Sequence, residues 1–147
     1  MKSPLDLAVR DSNVFVVNTG VSRIECYRWN GKDATWTKSI SYGGGEGRSI
    51  AVSDSLIYLS VVNEVRAYDS SGRVLHTFRG RSIDFVLPQG IAIDRDGGVF
   101  VADFFGGRII HCTSGLLDPS PSIIYPDSHK ATVQWQTATP VRGTVLL

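Results

Sequence analysis

Cysteine is scarce: the 147 residues hold only Cys26 and Cys112. Two cysteines far apart make neither a C-x-x-C pair nor a disulfide framework, so free thiols and a cytoplasmic setting are expected. Charge is thin as well, with Asp, Glu, Lys and Arg at 20% and a formal net charge of +1. A disordered chain or a coiled coil would carry far more, and so even a balance argues neither for nor against a nucleic-acid partner. No run approaches the roughly 18 apolar residues of a membrane span, so no membrane partner is expected. Residues 1–6 contain no apolar segment, and no secretory signal is expected there. The three histidines, His76, His111 and His129, stand in different contexts. None belongs to an HExxH or any other metal spacing, and no cofactor is expected. A nucleophile elbow, a P-loop and a catalytic carboxylate pair are also missing. Residues 43–47 are glycine-rich, but without a Lys-Ser/Thr pair and a following helix they read as a connection.

What is present is hydrophobic and repetitive. Hydrophobic residues make up 42% of the chain, enough for a real core. Three segments align. The first runs Pro4-Leu5-Asp6-Leu7-Ala8-Val9, then Asn13-Val14-Phe15-Val16-Val17-Asn18, then Arg23-Ile24-Glu25-Cys26-Tyr27. The second runs Gly47-Arg48-Ser49-Ile50-Ala51-Val52, then Leu56-Ile57-Tyr58-Leu59-Ser60, then Glu64-Val65-Arg66-Ala67-Tyr68. The third runs Pro88-Gln89-Gly90-Ile91-Ala92-Ile93, then Val99-Phe100-Val101-Ala102-Asp103, then Arg108-Ile109-Ile110-His111-Cys112. Ala8 to Ala51 is 43 residues, and Ala51 to Ala92 is 41. Each unit is built from β-branched and aromatic runs about five residues long. Turn signals such as Ser70-Ser71-Gly72 and Asp94-Arg95-Asp96-Gly97-Gly98 separate them. A fourth run, Thr35 to Ile40 and Val74 to Phe78, follows in the first two units. Four strands at a period near 42 is the arithmetic of a β-propeller blade. The small Ala8, Ala51 and Ala92 suit an inner strand crowded at an axis.

The third unit resembles the NHL repeat, whose pattern P-x-G-[IV]-A-[VI]-D, turn, [VI]-[YF]-V-A-D, N-x-R-[IV] is matched by Pro88 to Asp94, Val99 to Asp103 and Gly107-Arg108-Ile109. The first two units are looser copies. The Asn-His pair that names the repeat is absent, Phe105-Gly106 or Gly106-Gly107 standing in its place. The second unit has Glu64 where the others have Arg23 and Arg108. The expected fold is all-β, with three consecutive four-stranded antiparallel blades in an incomplete ring. Blades are expected at about 4–43, 44–87 and 88–125, in a repeat region 1–117 followed by a divergent tail, 118–147. In that tail residues 122–125 and 131–137 read either as added strands or as part of a partly ordered end. Three blades cannot close a ring, so the chain reads as a piece of a longer propeller or as a half-ring that pairs with a second copy.

Blade topology gathers certain loops on one face. Arg48, Arg79, Arg81, Gln89, Phe104 and Phe105 fall there and are the candidate ligand residues, since arginine forks match carboxylate or phosphate and aromatics stack or fill pockets. Ala8, Ala51, Ala92, Asn18, Arg23, Asp103 and Arg108 are read as structural repeat positions, the last two as a pair that pins a loop. Asp94 and Asp96 read as a turn rather than a calcium site. The resemblance implies a non-catalytic recognition or scaffold module that binds a protein or single-stranded RNA through the loop face. Such modules sit in larger ubiquitin-ligase architectures, although no RING is present in this chain. The alternative it implies is part of a six-bladed propeller enzyme, of the calcium-dependent lactonase or amidating-lyase kind.

Overall fold

The computed structural model describes residues 1–79, 84–112, 122–126 and 131–135, the last two segments as backbone only. Among the described residues thirteen strands form three antiparallel sheets. The first holds β1 (Pro4–Arg10), β2 (Asn13–Asn18), β3 (Arg23–Trp29) and β4 (Ala34–Ser41). The second holds β5 (Gly47–Val52), β6 (Leu56–Val61), β7 (Glu64–Asp69) and β8 (Val74–Phe78). The third holds β9 (Pro88–Ile93), β10 (Val99–Asp103), β11 (Arg108–Cys112), β12 (Ser122–Pro126) and β13 (Ala131–Trp135). Each sheet is a meander in sequence order, as in a propeller blade. The inner strands are neighbours, β1 beside β5 and β5 beside β9. Among the described residues the sole helical element is a 3-10 turn at Thr19–Val21, and no helix is long and apolar enough to cross a membrane. The third sheet carries a fifth strand, β13, from the region the sequence left open between strand and tail.

The aligned columns pair in register. Ala8 faces Phe15, Ala51 faces Tyr58, and Ala92 faces Phe100. A small inner residue thus meets an aromatic one in every blade. The turns follow from aspartate chemistry. Asp69 Oδ1 accepts the N–H groups of Ser71 and Arg73 at 2.9 and 3.0 Å. Asp94 Oδ1 accepts those of Asp96 and Gly98 at 2.8 and 2.7 Å. These are side-chain-capped turns. At Gly98 a Cβ would lie 2.5 Å from both Asp94 Oδ2 and His111 Nε2, so any other residue would have to displace one of those side chains.

Alternation along each strand gives every blade two apolar faces, and the core lies between blades. Val17, Ile24, Cys26 and Ile40 of the first blade pack on Ile50, Ile57, Leu59 and Tyr68 of the second. Tyr58, Val65, Ala67 and Phe78 of the second pack on Val99, Val101, Ile110 and Cys112 of the third. Cys26 and Cys112 are free and lie in different clusters.

Candidate functional site

The loop face is built from a repeated device. The backbone N–H of Thr19, Val62 and Phe104 bonds the carbonyl of Ser3, Glu46 and Leu87, at 2.9, 3.2 and 2.9 Å. This ties the loop after each second strand to the residue just before the inner strand begins. In the first blade buried Asn18 adds to it, its Oδ1 accepting the N–H groups of Lys2 and Ser3 at 3.3 and 3.2 Å. In the third blade buried Asp103 does the same for Val86 and Leu87 at 3.0 and 2.8 Å. Its second oxygen meets Arg108 Nε at 3.1 Å, and that guanidinium also bonds the Asp84 carbonyl. Arg23 faces Asn18 in the ladder as Arg108 faces Asp103. The second blade departs from the pattern. Val61 replaces the polar residue, and buried Glu64 gathers Arg66 at 2.5 Å and Arg79 at 3.3 Å. Arg66 reaches on to the Tyr42 carbonyl. Burial pushes the Tyr42 and Tyr68 phenols up from the ordinary value, so both stay protonated at neutral pH.

Every inner strand also bulges at one column. The ladder slips between Pro4 and Asp6, between Gly47 and Ile50, and between Gly90 and Pro88. The ladder leaves out Leu5 in the first blade, Arg48 and Ser49 in the second and Gln89 in the third, and Leu5, Arg48 and Gln89 stand at equivalent positions. Bulges re-aim side chains and recur beside active sites. Arg48 and Gln89 are therefore brought to one column on adjacent blades. Leu5 joins them, and the sequence reading missed it because a leucine in a strand looks like core. Arg48 Nη2 meets Glu46 Oε2 at 2.6 Å. Its Nε is buried and has no hydrogen-bond partner among the described residues.

The other candidates are placed less tightly. Phe104 and Phe105 are 60% and 71% exposed, their rings 5.0 Å apart. Arg79 reaches out to solvent while holding Glu64. Arg81 and His129 lie outside the described residues. His111 stacks on Phe100 with ring centres 4.3 Å apart, and its Nε2 is 3.8 Å from Asp94 Oδ2. Among the described residues no three His, Cys, Asp or Glu side chains converge as metal ligands. On the opposite face a cleft of about 210 Å³ lies between the first two blades. Three of its charged side chains are engaged, Arg10 with Asp54 and Lys38 with the Ser70 carbonyl.

No protein-family model matches the sequence, and no curated protein does. Solved structures do resemble the fold. Virginiamycin B lyase from Staphylococcus aureus superposes with a TM-score of 0.60 at 14% identity, over 95% of this chain and 57% of that one. Its catalytically inactive H270A form with quinupristin gives 0.63 at 16%, over 94% and 57%. A streptogramin B lyase gives 0.64 at 13%, over 91% and 54%. The chain thus spans a little over half the length of these lyases. The fold is a partial β-propeller. At such identities the likeness shows the architecture and does not single out the NHL repeat. One expectation is corrected: the fold is shared with enzymes, so reading the chain as non-catalytic does not stand.

Proposed function

We propose that the chain supplies blades to a propeller enzyme of the lyase type, with the bulged inner-strand column as its substrate-facing site. Arg48 carries this reading. Its guanidinium is held by Glu46 with a buried Nε–H left over, and a carbonyl or carboxylate oxygen of a substrate is the natural acceptor. A fixed donor in a water-poor setting stabilises negative charge as it develops on oxygen. Gln89, exposed on the adjacent blade, adds a neutral amide, and Leu5 adds an apolar contact. The exposed Phe104–Phe105 pair offers a platform for the apolar part of a substrate on the same loop face. The likeness to lyases supports this reading over a scaffold that binds protein or RNA. The Pro88 to Ile109 motif supports placing the blades near the NHL group of propellers.

Quinupristin is the first compound to test, with its conversion by the purified chain followed by mass spectrometry beside the Arg48→Ala variant. Conversion is expected, falling about 100-fold or more in the variant with an unchanged circular-dichroism spectrum. Absence of both conversion and Arg48-dependent binding rejects the proposal.

A further inference from the structure

Among the described residues two blade faces are left open. On the first blade, the face turned away from the second presents Leu7 and Val9, at 58% and 57% exposure, with the half-buried Val14. These hold the columns of Ile50, Val52 and Ile57, and of Ile91, Ile93 and Val99, which pack between blades. On the third blade, the face turned away from the second presents Ala92 and Ala102, both exposed, with the partly exposed Phe100. Their columns are Ala8, Val17 and Phe15, and Ala51, Ser60 and Tyr58. Each open face therefore repeats the chemistry of one side of a junction that the chain already makes twice.

The hydrogen bonds at those junctions say how the open faces match. Asp6 Oδ2 of the first blade accepts the Ile50 N–H of the second at 2.9 Å. Ser49 Oγ of the second accepts the Ile91 N–H of the third at 3.2 Å. In the same column the third blade has Gly90, with no oxygen to offer. The first blade asks for none, because its Leu7 N–H is already bonded to Asp6 Oδ1 at 2.9 Å. A third blade without the latch meets a first blade that needs no latch.

We propose that two copies of this chain close one ring, the third blade of each packing on the first blade of the other. The joint is head-to-tail, and such joints form rings when the rotation closes. Two sets of three blades make six, inside the usual range of about four to eight. The proposal does not depend on the lyase reading.

The test is the mass in solution of the whole 147-residue chain, by light scattering and sedimentation over a concentration series. A discrete species of twice the 16.0 kDa chain mass is expected. Leu7→Lys with Val9→Lys should leave a folded monomer, since both side chains are exposed and need nothing from their own blade. Ala102→Arg, on the other flank, should do the same. Mixing the two variants should restore a dimer, because each keeps the flank the other has lost; misfolded variants would not complement. A wild-type chain that stays monomeric well above micromolar concentration overturns the proposal. So does open-ended growth to larger species, or a dimer that survives both sets of changes.

Discussion

Asp103 keeps its carboxylate where almost no water reaches, and three groups offset the cost of burying it: the backbone N–H donors of Val86 and Leu87 and the Arg108 guanidinium. Removing the side chain strands those donors, and loss of a buried, charge-assisted set costs more than the bonds are worth net. Asp103→Ala is expected to lose about 2–4 kcal/mol in urea unfolding. Asp103→Asn should lose only about 1 kcal/mol, because Asn18 does the equivalent work in the first blade with a neutral amide. Equal losses for the two variants would mean that charge, not hydrogen-bond acceptance, holds this loop. The cysteines allow a pH test. Burial raises the Cys112 thiol above its ordinary value, to about 11, and burial also raises Cys26. A folded-state value above the unfolded one favours the folded chain fully below the ordinary thiol range. That contribution fades as the pH rises through about 11 for Cys112. Both thiols are therefore expected to resist a maleimide at pH 8 in the folded chain and to react once it is unfolded. Rapid labelling of Cys112 without unfolding would count against its placement between the second and third blades.

At the scale of strands and turns, the period near 42 in the Ala8, Ala51 and Ala92 column marked the inner strands. The Phe15, Tyr58 and Phe100 column sits directly opposite it. Those features were legible because alternation and turn chemistry are local. The run from Val74 to Phe78 became β8 with the same ends, since Ser70-Ser71-Gly72 and the capping Asp69 stop the chain there. The junctions were not legible. Asp6 and Ile50 are 44 residues apart, and nothing beside either one says that a side-chain oxygen on one sheet will reach an amide on the next. The bulges were hidden for a similar reason: Leu5, Arg48 and Gln89 are thrown out by the twist of the ladder and not by a shared residue type. Arg48 and Gln89 were picked out for their chemistry and loop position, and the bulge places them in one column. Glu64 read as a mismatch to Arg23 and Arg108 and proves to be the acceptor for two arginines. If the inter-blade bonds stabilise the junction, Asp6→Ala should cost about 1–2 kcal/mol and Ser49→Ala about 1 kcal/mol in chemical unfolding. Neutral outcomes at both positions would show that apolar packing alone sets the spacing of the inner strands.

At the scale of the whole chain, the described strands form a row of three sheets, the first packed on the second and the second on the third, and stability in such rows is close to a sum of unit and junction terms. The middle blade makes two junctions and each outer blade makes one. Leu59, Val61, Val65, Ala67 and Tyr68, on its two central strands, are all at 1% exposure or less. By contrast β1 has every second residue from Leu5 to Val9 more than half exposed. Local opening should follow this gradient, because amide protection rises with the buried contacts that opening must break. In hydrogen exchange of the dilute chain, amides of Leu56–Val61 and Glu64–Asp69 are expected to exchange slowest, and those of β1 to exchange among the fastest of the strand amides. Concentration supplies the second axis of the measurement. If copies join third blade to first, β1 and β10 gain a neighbour together, so their protection should rise with protein concentration while that of the middle blade stays level. Equal protection in all three blades of a proven monomer would contradict the row of separable junctions. Flat protection of β1 across the concentration series would mean that its apolar row stays in water.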